Sequence, residues 1–249
     1  MRKSVAHLDQ AKQPAWPLTS ALGQKKPSMN KKRDYIVEIN SRKSRLLKRS
    51  NRWDLFTKRN DPILYAFDHV DALTKLNKEK KELLKYFPIG MVACIEGYFR
   101  LAMADLIDSS DVYHGNLENI KDIKLDIKTT LSIYNKNVTL GELISHLITI
   151  NNLDDINKYM SIILGEDFLK KLMLTPVDLY EGEFIELSQQ APTLYKDIKA
   201  IFTQRHIFAH ELAIKEKVNA KEARILMAAA TVFVYSTEVL MDSLLEQKP

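Results

Sequence analysis

Three side chains suited to proton transfer and phosphate binding lie close together late in the chain. Residues 205–210 read RHIFAH, so Arg205, His206 and His210 fall within six positions. Histidine titrates near neutral pH and can give or take a proton during a reaction. Arginine carries a planar fork of donors that matches phosphate oxygens. These residue types fit RNA cleavage by the RNA's own 2′-hydroxyl, because that reaction needs a base, an acid and positive charge at the phosphate.

The spacing of Arg205 and His210 does not by itself indicate a site. The same spacing recurs near the amino terminus in RKSVAH, from Arg2 to His7, where no apolar helix frames the residues. RHIFAH instead follows Ile198, Ile201 and Phe202, which can bury one side of a helix. The setting of the second copy therefore makes it the candidate site.

Helix geometry places a constraint on that site. Residues five apart differ by about 140° around an ideal helix, so Arg205 and His210 do not share one face. Either the helix ends or loosens within the segment, or two chains contribute to one site. The purely structural interpretation makes Arg205 a surface ion-pair partner, for instance of Glu211, and His210 a core or capping histidine.

Two segments together resemble the HEPN (higher eukaryotes and prokaryotes nucleotide-binding) superfamily. Its members carry an Arg, a polar residue, three further residues and a His late in a helical domain, as Arg205, His206 and His210 do here. The segment Met91–Asp108, MVACIEGYFRLAMADLID, is similar to an earlier helix of the ribonuclease LS-linked and toxin-like branches, with Glu96 and Tyr98 matching a Glu-x-aromatic pattern. The resemblance extends over about residues 61–245, but these two segments carry it.

The resemblance implies a metal-independent endoribonuclease without a cofactor, working as a homodimer with a composite active site. Its catalytic residues would be Arg205, His210, His206 and Glu96, and its product a 2′,3′-cyclic phosphate. A toxin or antiviral role, with a possible antitoxin or regulatory partner, follows from the same resemblance. Two alternatives remain: a non-catalytic RNA-binding or scaffold module, and a helical interaction protein that binds no nucleic acid. Glu96 either orients Arg205 or His210, or forms a buried ion pair with Arg100 at i+4.

The charge distribution points to a basic front and an acidic body. Residues 1–60 contain 16 Lys or Arg and 4 Asp or Glu, a net charge of +12, whereas the whole chain carries +5. A basic segment can neutralise phosphates, but it can also be a solvated tail or an arm docked on the acidic body. The expected RNA-binding residues are Arg42, Lys43, Arg45, Lys48 and Arg49.

Composition argues against several protein classes. The chain has 7 Gly, with neither a dinucleotide-binding fingerprint nor a P-loop, and its single cysteine, Cys94, rules out an intrachain disulfide or a zinc site of paired cysteines. The longest apolar run, Ile225–Tyr235, is shorter than the roughly 20 residues that cross a bilayer. No signal peptide is evident. We therefore expect a cytoplasmic protein that has no contact with a membrane.

The predicted fold is an all-α, HEPN-like bundle of four long helices. We expect a basic, partly disordered arm at 1–60 and a helical domain at 61–249, with an insert of short helices at 109–190. The predicted helices start at Asp61–Pro62, at Pro88, at a Thr139/Glu142 capping box, at Leu153, at Asp167, at Asp178, at Pro192 and at Lys221.

Overall fold

The computed structural model describes residues 33–46, 50–74, 77–121, 123, 127–134, 138–180, 183–190, 193–211 and 215–246. About 80% of the structure is helical, which confirms the all-α class. The elements are α1 (Tyr35–Lys43), α2 (Arg52–Ala72), α3 (Asn77–Ser109), α4 (Asp111–Asn116) with a 3₁₀ turn at Leu117–Asn119, α5 (Ile127–Ile133), α6 (Leu140–Leu147), α7 (Leu153–Leu164), α8 (Phe168–Met173), β1 (Pro176–Tyr180), β2 (Glu183–Glu186), α9 (Leu187–Gln190), α10 (Leu194–His210) and α11 (Ala220–Glu246).

Helix α3 is the central element of the core. It packs against α2, α6, α10 and α11, and its middle turns are buried on most sides, with Ile95, Phe99 and Met103 fully inaccessible. The prediction that Pro88 opens a helix was wrong, because α3 begins at Asn77 and runs through Pro88. The ring removes one backbone hydrogen bond, but burial of adjacent residues such as Phe87, whose ring meets Phe67 edge-on at 5.1 Å, favours the continuous helix.

Helix α2 starts earlier than its Asp-Pro signal predicts. The predicted start at Asp61–Pro62 was wrong, since Asn51 caps the helix by accepting a 2.7 Å hydrogen bond from the backbone of Asp54. The boundary placed at residue 60 therefore lies inside a helix, and one compact unit extends over Asp34–Pro249. Burial explains why α2 begins before Pro62. Phe56 is only 3% exposed, so the part of the helix before Pro62 belongs to the core.

Two of the shorter helices between α3 and α10, α6 and α7, begin where the sequence predicts. Thr139 and Glu142 form the predicted capping box of α6, and α7 has the predicted bounds. Asp108 of α3 also accepts a 2.9 Å hydrogen bond from the backbone of Gly141. A side chain at Gly141 would collide with the carbonyl of Ala104, so glycine allows α6 to lie directly against α3.

The predicted helix from Asp178 to Leu187 was wrong. This stretch forms the antiparallel pair β1–β2, with Val177 opposite Ile185, followed by α9. Val177 is fully buried between the exposed Pro176 and the half-buried Asp178. The Tyr235 hydroxyl of α11 donates to the Asp178 carbonyl at 3.2 Å. Contact with the core, absent from the local pattern, decides in favour of strand.

A buried arginine joins the long helices. Arg52, at the start of α2, is 8% exposed and donates to Glu238 at 2.7 Å, Asp105 at 3.0 Å and Asp242 at 2.8 Å. The Tyr98 hydroxyl donates to the same Glu238 oxygen at 2.6 Å. Burial disfavours the charged guanidinium, but Glu238, Tyr98 and Asp105 together raise the pKa of Arg52 above its usual range. Arg52 is therefore charged at all physiological pH values and links α2, α3 and α11.

We expect Arg52→Met to lower the free energy of unfolding by about 3–5 kcal/mol, because it leaves buried Glu238 without its cation. Urea unfolding followed by circular dichroism measures the loss. The control is Lys199→Met, which removes an exposed ion pair with Asp154 and should cost about 1 kcal/mol or less. Equal losses in the two variants would contradict the role given to Arg52.

Candidate active site

The RHIFAH segment forms the last turns of α10. The helix continues to His210 and ends there, with Glu211 in an extended conformation. Ile198, Ile201 and Phe202 are buried, which confirms the predicted apolar frame. The helix does not loosen before His210. The orientations of Arg205 and His210 are therefore those of a regular helix.

Arg205 points toward α3 and pairs with Glu96. Arg205 Nη2 lies 2.9 Å from Glu96 Oε1, and the two side chains are 22% and 21% exposed. Arg100, the alternative partner of Glu96, instead donates through Nη1 to the carbonyls of Ser145 and Ile148 at 2.8 and 2.7 Å. Of the two roles expected for Glu96, the contact with Arg205 is the one present. The structure thus joins the two sequence segments singled out above.

Burial and the neighbouring arginines act in opposite directions on the pKa of the Glu96 carboxyl group. Burial raises its pKa, and the nearby Arg205 and Arg100 counteract that effect only in part, so the pKa remains above its ordinary value. Only one guanidinium nitrogen of Arg205 is within hydrogen-bond distance of Glu96. Since a guanidinium has five N–H donors, Arg205 retains donors for a second anion.

His206 and His210 lie one turn apart on the outer side of α10. Their ring centroids are 5.3 Å apart with planes tilted by 53°, and both residues are exposed. Arg205 is held at α3, so the single chain brings Arg205 to Glu96, and His206 to His210, but does not bring the two pairs onto one face. Arg205 and His210 of one chain thus point about 140° apart around the axis of α10.

The expected RNA-binding residues have different surroundings. Lys43 forms a 2.7 Å ion pair with Glu142, whereas Arg45 donates to the carbonyl and hydroxyl oxygens of Ser41. Arg42 is half-buried in the last turn of α1. Lys48 and Arg49 lie outside the described residues. Helix α1, which lies within the basic segment, is therefore folded, and Arg42 and Arg45 line a cavity together with residues of α2 and α3.

Sequence reasoning missed Arg59, which lies on α2 near Cys94 of α3. A signal was present, because Arg45, Arg52 and Arg59 recur at intervals of seven residues. Within a helix that interval keeps Arg52 and Arg59 on nearly the same face. The predicted boundary at residue 60 separates this stretch from the helix α2 to which Arg52 and Arg59 belong.

Two further features bear on the kind of protein. Among the described residues, no group of three or more His, Cys, Asp or Glu is arranged to hold a metal ion. Helical stretches at Lys78–Ser109 and Ala220–Glu246 have the length and apolar composition that crossing a membrane requires, and 56% of the most apolar window of each is buried in the protein. Core helices of other proteins meet the same criterion, so these stretches are weak evidence for a membrane.

Comparison of the chain with protein-family models, curated proteins and solved structures gave no significant match.

We expect the stability of the protein relative to a Glu96→Gln variant to depend on pH. Because the folded-state pKa of Glu96 is raised from 4.5, the stabilisation given by its protonated form is complete below that value and is lost as pH rises through the raised pKa. Wild type should therefore gain stability relative to the variant as the solution is acidified from neutral pH. Urea unfolding of both proteins across that range measures the difference, and a gain in the opposite direction would contradict the dominance of burial.

Proposed function

We propose that this protein is a HEPN-like endoribonuclease that acts as a homodimer. The observation that carries the proposal is the Arg205–Glu96 ion pair at 2.9 Å. It places side by side the two segments on which the resemblance to that superfamily rests. The arginine of the motif is thereby oriented by an acid from the neighbouring helix, as a phosphate-binding arginine needs to be.

The order and packing of the helices support the finer fold assignment. The long helices α2 and α3 precede the shorter elements, and α10 and α11 follow them. Helix α3 contacts α2, α10 and α11, and α10 contacts α11. We infer from this arrangement a HEPN-like bundle in which the short helices are an insert.

The proposed reaction is an intramolecular phosphoryl transfer, in which phosphorus passes from the 5′-oxygen to the 2′-oxygen of the RNA. The 2′-oxygen forms a bond to phosphorus as its proton moves to one His210, and the bond from phosphorus to the 5′-oxygen breaks as that oxygen takes a proton from the other chain's His210. The products are a 2′,3′-cyclic phosphate and a 5′-hydroxyl. Arg205 stabilises the negative charge on the phosphate in the transition state, and Glu96 is a positioning residue. His206, one turn before His210, binds or orients the phosphate.

The basic residues of α1 and the segment after it extend the proposed RNA-binding surface. Arg42 and Arg45 line a cavity together with residues of α2 and α3, and residues 1–60 carry the net charge of +12. Such charge attracts RNA without reading its sequence. A cytoplasmic toxin or antiviral effector, held inactive by an antitoxin or regulatory partner, is the biological role we propose for this activity.

Cleavage should depend on Arg205 and His210 and should survive EDTA. The purified chain is incubated with a mixed-sequence RNA, and fragment ends are analysed for cyclic phosphate. Because general acid–base catalysis contributes about 10²–10⁴-fold, His210→Ala should slow cleavage by about that factor, and Arg205→Lys should also slow it.

His114→Ala is the matched control, because His114 is a partly exposed histidine paired with Asp111 on α4, a different helix. It should cleave at the wild-type rate. Equal cleavage by all variants would assign the activity to a contaminant. RNA binding without cleavage by wild type would instead favour the non-catalytic module, and absence of both would favour an interaction protein that binds no nucleic acid.

A composite site predicts that His210→Ala subunits suppress their wild-type partners. If one cleft needs both His210 side chains, an equal mixture of exchanged subunits retains about a quarter of the activity, since only pairs of wild-type chains are active. Independent sites would retain about a half. The two proteins are co-expressed with different tags, purified as a mixture and assayed at equal total concentration. Retention of a half, or a monomeric mass in solution, would contradict the shared site.

A further inference from the structure

A cavity lined by arginines lies between α1, α2 and α3, away from the His206–His210 pair. Its volume is about 240 Å³, and its lining includes Arg42, Arg45, Arg52 and Arg59. We call it the arginine cavity. None of the residues described as lining it is acidic.

The positive charge of the arginine cavity is only partly neutralised. Arg52 is matched by its three carboxylates. By contrast, no described carboxylate forms an ion pair with Arg42, Arg45 or Arg59, and the hydrogen bonds of Arg45 go to neutral Ser41 oxygens. Cys94 in the wall adds no negative charge, because burial raises the pKa of its thiol to about 11 despite the nearby Arg59.

The surroundings of Arg42 disfavour its positive charge. Burial lowers its pKa, and the neighbouring Arg100 lowers it further. A half-buried guanidinium beside a second one is unfavourable unless an anion accompanies it. An anion in the arginine cavity, which Arg42 lines with Arg45 and Arg59, would offset this unfavourable charge.

The lining of the arginine cavity also includes apolar residues. Phe56 and Leu101 line it, and a Cβ atom added at Gly97 would meet no atom within 4 Å. The glycine thus leaves room beside α3. A ligand that fits both the arginines and the apolar residues combines an anionic group with a body that packs on hydrocarbon, and a planar ring can also stack on a guanidinium.

We propose that the arginine cavity binds a nucleoside monophosphate unit, with its phosphate on Arg42 and Arg59 and its base against Phe56 and Leu101. Guanidinium groups pair with phosphate oxygens through two parallel bonds, and a doubly charged phosphate monoester balances the three arginines that lack an ion pair with a described carboxylate better than a carboxylate does. The volume is slightly below the usual lower limit of about 300 Å³ for small-molecule pockets, which favours one nucleotide over a longer ligand. The unit is either a free nucleotide or the phosphorylated end of an RNA.

This site is separate from the cleavage chemistry proposed for Arg205 and His210. Arg205 lies at Glu96, which is about 100° around α3 from the adjacent Gly97. Binding at the cavity can therefore be measured whether or not the protein cuts RNA.

Calorimetric titration of the full chain at low salt tests the proposal. Uridine monophosphate should bind, and uridine, which lacks the phosphate, should bind at least about tenfold more weakly because the charge-assisted hydrogen bonds are missing. A second arm compares a 5′-phosphorylated with a 5′-hydroxyl oligoribonucleotide of the same sequence. Tighter binding of the phosphorylated oligonucleotide without binding of the free nucleotide would identify an RNA end as the source. No preference for phosphate in either arm would overturn the proposal.

Three substitutions locate the binding site. Arg42→Ala and Arg59→Ala each remove a phosphate donor, and Gly97→Leu fills the cavity without changing any charge. Each should weaken binding of the phosphorylated ligand by about tenfold or more. Since Arg59 is exposed, its variant should fold normally, which circular dichroism verifies.

Arg224→Ala is the matched control, because this exposed arginine pairs with Asp68 and Asp71 on the other side of α2. It should bind the ligand as wild type does. Unchanged binding in all three cavity variants would overturn the proposal. Loss of binding in Arg205→Lys alone would move the ligand to the α10 site and would also overturn it.

Discussion

The charge of Arg52 is the constraint on which the arrangement of the long helices depends. Its guanidinium lies where α2, α3 and α11 meet, and three carboxylates and a tyrosine hydroxyl surround it. A buried ion pair adds little net stability compared with apolar packing, but removing one partner is costly. Any shift of α2 along α3 would break these bonds and expose an unpaired charge to the core. The network therefore fixes the register of the helices more than it adds to their stability.

That register determines what the faces of α3 present. Tyr98 faces Arg52 and Glu238, Glu96 faces α10, and Gly97 faces the arginine cavity, although the three residues lie within one turn. Successive helical residues point about 100° apart, so one turn of α3 reaches both α10, through Glu96, and the arginine cavity, which Gly97, Tyr98 and Arg52 line. A shift of α2 or α11 would displace Tyr98 and, with it, Glu96 two residues earlier in the same turn of α3.

The sequence predicts the elements that carry their own signals. The capping box at Thr139, the bounds of α7 and the long final helix need only local residues, and the structure confirms them. Proline misleads at Pro62 and Pro88, because burial of Phe56 and Phe87 extends each helix through a residue that normally begins one. The β1–β2 pair depends on Val177 reaching the core, which a local pattern does not show.

The residues of the candidate site were predictable from the sequence, but the ion pairs and hydrogen bonds that they form were not. RHIFAH and Glu96 are recognisable as types and spacings, yet the choice of Arg205 over Arg100 as the partner of Glu96 depends on the Ser145 and Ile148 carbonyls that engage Arg100. Those carbonyls lie at and beyond the end of α6, about 50 residues from Glu96 along the chain. The arginine cavity was less predictable still, because α1 must pack against α6 before Arg42 can line one space with Arg59 of α2.

Helix geometry gives the proposed dimer its physical basis. Because α10 stays regular to its last residue, Arg205 is directed at α3 while His210 is exposed, about 140° away around the axis. Arg205 and His210 of one chain therefore do not share one face of α10. In the proposed dimer, a two-fold axis beside the end of α10 would bring the two His210 side chains toward one cleft, with one histidine available to each side of a bound phosphate. The proposed reaction needs a base that takes the proton of the 2′-oxygen and an acid that gives a proton to the 5′-oxygen. The two histidines of the proposed dimer would fill these two roles.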